Sequence, residues 1–216
     1  MSAGFQRARR PEQVEARRRA ILAVAGELLA ERPVAEISLR ELSCRVGLAK
    51  SNVLRYFDSR EAVFLEVLDG LWTAWLDELA EALGEPGPAE PGFAREARIA
   101  GTIAATLTGR RVLCELLSAM APVLERNIPV DYARSFKRRA AANTGRLGEL
   151  VRARVPELPP GAARHFAHAV VVVLSGSWPA AHPTAAVAAV EQGDPPAFEL
   201  AEGLTNLLAG LVARQR

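Results

Sequence analysis

SLRELSCRVGLAKSNVLRYFDSREAVF, residues 38–64, decides how the rest of the chain is read. Ser38 followed three residues later by Glu41 predicts a helix start: the hydroxyl accepts from an orphan N–H of the first turn, and the carboxylate reaches back to the N–H of the cap. Leu39, Leu42 and Val46 repeat at helical spacing on one face, and Gly47 stands where the chain takes the left-handed conformation that ends a helix at low cost. A second short helix over residues 50–57 turns Val53 and Phe57 inward and presents Lys50, Ser51, Asn52 and Arg55. Ammonium, hydroxyl, amide and guanidinium groups on such a helix suit phosphates and base edges in a DNA major groove. Two short helices joined by a glycine turn and delivered onto a third form a helix-turn-helix.

Working outward, residues 11–32 repeat Val14, Ile21, Val24, Ala25, Leu28 and Leu29 at intervals that suit the first helix of a three-helix head. Asp58 or Ser59 caps a long fourth helix running to about Leu83, which links head to body. GEPGPAEPG, residues 84–92, must be loop. Beyond it, residues 93–107, 110–126 and 130–155 are amphipathic helices, the third open to interruption near Gly145. Residues 156–161 form a break, and residues 162–178 and 197–214 complete an all-α body. The expected division is a basic arm over 1–10, a head over 11–58 and a body over 59–216. No strand-period segment, internal repeat or phosphate-binding glycine loop occurs.

The net charge of +2 is bland, but residues 1–60 hold 12 of the 27 Lys and Arg and only 7 of the 25 acids. A basic head on a mildly acidic body suits contact with a polyanion at one end. Lys50 and Lys137 are the only lysines, so an ammonium in the first turn of the second helix stands out against an Arg-rich background. Arg7, Arg9 and Arg10 mark the arm either as a minor-groove reader or as a disordered tail. Two cysteines, Cys44 and Cys114, make no disulfide framework or zinc site and are expected as buried apolar residues in a cytoplasmic protein. No secretory signal is read at the N-terminus. The uncharged run over residues 165–190 is too broken by His, Gly and Pro to span a membrane.

Over residues 18–68 the sequence resembles the TetR family of bacterial transcription regulators. The resemblance rests on the Ser38 cap, the Gly47-Leu48 turn, the Tyr56-Phe57 end of the second helix, and Ser59-Arg60-Glu61 after it. It implies that Ser38 and Tyr56 touch phosphates, Arg40 a base edge or phosphate, and Lys50, Ser51, Asn52 and Arg55 the groove, with Arg60 on a further phosphate. Leu54, Arg55 and Ala49 depart from the usual aromatic, His and Ser or Thr, which bears on the operator sequence and not on the fold. The resemblance also implies a homodimer on a palindromic double-stranded DNA operator, released by a small effector.

For the body this implies a sensor whose Trp72, Trp75, Leu79, Leu116, Met120, Phe136 and Phe166 line a pocket for an apolar or amphipathic molecule, although each also suits ordinary core. The last two helices carry more apolar surface than one body needs. Phe166, Val170, Val173 and Leu174 with Ala201, Leu204, Leu208 and Leu211 are therefore expected at a dimer interface, a four-helix bundle in the family. His165 and His168 share a helix face without a nearby acid or Cys, so neither metal nor cofactor is expected. No arrangement of nucleophile and base points to an enzyme. The competing class is a helical architectural protein that binds DNA without sensing.

Overall fold

The computed structural model describes residues 11–87, 91–190 and 199–215, and among these the secondary structure is helix and turn, with no strand. The arm over 1–10 and the first residues of the expected last helix lie outside them.

Helix α1 (Pro11–Glu31) buries Ile21, Ala25, Leu28 and Leu29, most of the expected stripe. In α2 (Leu39–Val46) the Ser38 hydroxyl accepts from the Glu41 N–H at 3.1 Å. The other half of the capping box is not made: the Glu41 carboxylate pairs with Arg32 at 3.0 Å, because a full positive charge competes well against a single amide. Gly47 closes α2 at φ 74°, a conformation that any residue with a Cβ adopts only under strain.

Helix α3 (Lys50–Val53) is shorter than expected. After Val53 the bonding tightens to the i→i+3 pattern, with the Arg55 N–H on Asn52 O and the Tyr56 N–H on Val53 O, so the coil continues to Phe57 as turns. Ser59 caps α4 (Arg60–Leu83), accepting from the Ala62 N–H at 3.1 Å.

The body comprises α5 (Ala94–Thr108), α6 (Arg111–Met120), α7 (Val130–Arg154), α8 (Pro160–Ala181), α9 (Ala185–Ala188) and α10 (Leu200–Ala213). Helix α6 stops well before residue 126 because Pro122 offers no N–H and crowds the carbonyl one turn back; a short 3₁₀ turn, Leu124–Asn127, follows. Helix α7 runs unbroken through Gly145. At Gly148 a Cβ would stand 3.3 Å from the Ala163 carbonyl oxygen, so this glycine lets α7 and α8 approach closely.

One continuous apolar core runs from Ile21 to Val212. Helix α4 is its spine: Ala62, Val63 and Phe64 close the head, and Trp72, Trp75, Leu76 and Leu79 fill the body. Among the described residues no helix is long and apolar enough to cross a membrane. The two cysteines part ways. Cys114 is buried as expected, but Cys44 is exposed, because the stripe of Leu39, Leu42 and Val46 turns it outward on α2.

Candidate nucleic-acid interface

The cations of the head fall into two classes. Arg40, Lys50 and Arg55 are exposed and form no ion pair among the described residues. Ser38 and Ser51 are exposed beside them, while Asn52 and Tyr56 are half-buried. The Ser38 oxygen is occupied as an acceptor, which leaves its O–H able to donate outward.

Three other arginines serve the fold. Arg18 gives a guanidinium N–H to the Tyr56 carbonyl, lies 4.3 Å from the Phe57 ring centre, and stands 3.6 Å from the Glu66 carboxylate. Arg45 makes a bidentate pair with Glu31 at 2.8 and 2.9 Å, which holds the Glu31 carboxyl below the usual carboxylate range. Arg60, expected at a phosphate, is held by groups of the chain itself. Its Nε and Nη2 donate to the carbonyls of Ile37 and Val34, and its Nη1 meets Glu61 at 2.9 Å. The cause is position: Arg60 opens α4 against the turn over residues 34–37, whose carbonyls the fold must satisfy.

Two shallow depressions flank this surface. One, of about 440 Å³, is lined by Ser38, Arg40, Glu41, Cys44 and Arg45; the other, of about 550 Å³, by Gln13, Ala16, Arg17, Ala20 and Tyr56. Gln13 and Arg17 therefore stand beside Tyr56 and were missed in the sequence. The available signal was the run Arg17-Arg18-Arg19, in which only the middle residue turns inward.

In the body, Trp72, Trp75, Leu79, Leu116, Phe136 and Phe166 are 0–2 % exposed and Met120 is half-buried. They belong to the packed core and its margin, which answers the apolarity that suggested a pocket. The Trp75 indole donates to Thr106 Oγ1 at 3.1 Å, whereas the buried Trp72 Nε1 has no acceptor among the described residues. None of the seven lines the apolar cleft of about 380 Å³ between head and body, whose walls include Val34, Glu115, Ala119, Trp178 and His182.

The residues expected at a dimer interface lie as follows. Phe166, Val170, Leu174, Leu204, Leu208 and Leu211 are already buried within the single chain, and Val173 and Ala201 are half-buried. The richest apolar stripe of each helix is spent on its own core. The outward face of α8 carries His165, His168, Val172 and Gly176, with Val172 70 % exposed. His168 Nδ1 lies 2.9 Å from the Arg164 carbonyl oxygen, one turn back on its own helix.

Residues 21–67 match the bacterial regulatory proteins of the tetR family, and residues 69–215 match the tetracyclin repressor-like C-terminal domain. Over 50 residues the chain is 46 % identical to the HTH-type transcriptional regulator EthR of Mycobacterium tuberculosis, a match spanning 23 % of each chain. Among solved structures, the regulator FadR of Bacillus subtilis in complex with stearoyl-CoA is similar at a TM-score of 0.57 and 13 % identity, covering 90 % of this chain and 97 % of that one. The multidrug binding protein EbrR complexed with imidazole is similar at 0.57 and 21 %, covering 89 % and 94 %. At such identities these likenesses speak for the fold.

Proposed function

Since the chain belongs to the TetR family of bacterial transcription regulators, we propose that it is a repressor that binds a palindromic operator as a homodimer and leaves it when a small molecule binds the body. It is a DNA-binding regulator and not an enzyme. The observation that carries the reading is the division of cations in the head: Arg18, Arg45 and Arg60 are consumed by the fold, while Arg40, Lys50 and Arg55 are left unpaired beside Ser38 and Ser51. Unpaired cations next to hydroxyl donors suit a phosphate backbone, and Arg40 or Arg55 with Asn52 suits base edges. Each good bidentate base contact is worth ~1–3 kcal/mol of discrimination.

A two-fold axis would supply the ~34–36 Å between successive major grooves. The exposed Val172 face of α8 supports a partner there. Release by an effector would act by binding more tightly to the arrangement that spaces the heads wrongly. FadR and EbrR are both described with bound small molecules, which supports sensing in this fold. The packed surroundings of Trp72 and Trp75 favour the second reading, a DNA-binding protein without an effector. Against it stand the unpaired Trp72 indole N–H and the cleft at the head–body seam.

The test is selection from random duplex DNA. An inverted repeat that weakens or changes when Lys50, Asn52 or Arg55 becomes Ala supports the regulator; no enriched motif at low salt, with the protein dimeric and folded, counts against it.

A further inference from the structure

We propose that the cleft between head and body binds an amphipathic organic cation, held by the Glu115 carboxylate against an apolar wall. The proposal takes up the effector of the reading above and rests on it for its regulatory meaning. Its volume of about 380 Å³ falls within the ~300–1,000 Å³ of small-molecule sites. Pro33, Val34 and Ala35 of the head form one side; Ala119 and Val123 lie opposite, and Trp178 and Pro179 at the end of α8 complete the apolar lining.

The sign of the ligand follows from a census of the polar groups. Glu115 Oε1 accepts from the Val34 N–H at 2.7 Å, an 81-residue link between body and head. Among the described residues its Oε2 has only Arg111, 4.0 Å away and beyond hydrogen-bond reach. Arg111 also lines the cleft, but its side chain is 54 % exposed against 18 % for Glu115, so the anion is the less exposed charge and the cation stands where solvent screens it. Ser118 spends its proton on the Cys114 carbonyl at 2.8 Å and keeps its lone pairs. His182 Nδ1 lies 3.1 Å from the Trp178 carbonyl oxygen, so Nδ1 carries the proton of that bond. Thr184 Oγ1 accepts from the Val187 N–H at 3.4 Å. The less exposed charge of the cleft is thus a carboxylate oxygen, with the Ser118 lone pairs nearby, and a ligand group seated there brings the protons; the Arg111 guanidinium and the Thr184 O–H are the donors of the same lining. His182 also stacks on Trp178 at 3.8 Å between centroids, which gives a flat aromatic wall. An aromatic or branched ammonium ion meets both demands, whereas a carboxylate of the same shape meets Glu115 as a like charge.

The probe is 1-naphthylmethylamine, with 1-naphthylacetate and 1-naphthylmethanol as anionic and neutral counterparts, titrated calorimetrically into the full chain. The amine is expected to bind at least tenfold more tightly than either counterpart. Glu115→Gln, which retains an oxygen for the Val34 N–H, should erase that preference; Ala119→Phe, which fills the cleft, should abolish binding of all three. A tighter carboxylate, equal binding of the three, no binding, or an amine indifferent to Glu115→Gln would each overturn the proposal, and if Ala119→Phe does not fold the Gln variant decides alone. Operator selection without probe is independent: an enriched inverted repeat with no amine binding sinks this site and leaves the regulator standing.

Discussion

Arg18 reaches from α1 to cover the Phe57 ring at 4.3 Å while its guanidinium bonds the Tyr56 carbonyl and faces Glu66 at 3.6 Å. Glu66 in turn accepts from Arg139 of α7 at 2.8 Å and from the Tyr132 hydroxyl at 3.1 Å. The end of the DNA-reading segment is therefore tied through one carboxylate to a helix of the body. Arg18→Met keeps the stem but removes this charge and the donor to Tyr56. Loss of a partly buried charged hydrogen bond costs roughly 1–3 kcal/mol. Urea unfolding should show that loss, and mobility-shift titration a weaker operator complex, while Arg19→Met at an exposed neighbour should change neither.

Gly47 sets the angle between α2 and the segment that follows. Its φ of 74° makes Gly47→Ala costly by roughly 1–2 kcal/mol, the usual penalty of the left-handed region, although no atom stands in the way of the new Cβ. Gly47→Asn should cost less, because its short polar side chain tolerates that region. A denaturation midpoint for Gly47→Asn at or below that of the Ala variant would contradict this account.

Val172 and Val170 are near neighbours on α8 with opposite fates, 70 % and 1 % exposed. Val172→Glu should halve the mass seen by sedimentation velocity with the helical spectrum intact, since exposed substitutions rarely move stability by more than about 0.5 kcal/mol. Val170→Glu should instead unfold the body. An unchanged mass for Val172→Glu would place the partner elsewhere.

The thiols are distinguishable. Cys44 is exposed, whereas burial holds the Cys114 thiol protonated up to about 12, with its S–H on the Leu107 carbonyl. A thiol reagent at pH 8 should modify one equivalent in the native protein and two in denaturant. The unfolded chain releases the Cys114 proton near ~8.5 while the folded chain keeps it. Stability contributed by this group is therefore lost as pH rises from there toward 12, and Cys114→Ala should flatten that part of the profile.

Much of the fold was legible because its signals are local. The Ser38 and Ser59 caps, the Gly47 turn and the apolar repeat of α1 each need only a few neighbouring residues, and each stands where the sequence puts it. The sequence is less legible where two local rules compete or where a partner is distant. Pro122 overrides the apolar repeat of α6. Arg60 looks like any surface cation until the carbonyls of Val34 and Ile37 are brought against it. Periodicity marks the most apolar stripe of α8 and α10 but not whether a partner or the chain itself covers it; here the chain does. The head–body cleft joins residues 33–35, 111–123 and 178–184, and no window of sequence spans all three.

The unbroken core also limits how this protein can be rearranged. Because α4 supplies both the floor of the head and the centre of the body, the two halves are not exchangeable cassettes. A chimera joined at residue 59 would set one relative's helix under another's α1, with Phe57, Ala62 and Phe64 facing side chains they were never shaped against. A graft that carries the head together with the first turns of α4 and the Val34–Glu115 contact keeps those surfaces matched, and that seam is where new specificities are best joined.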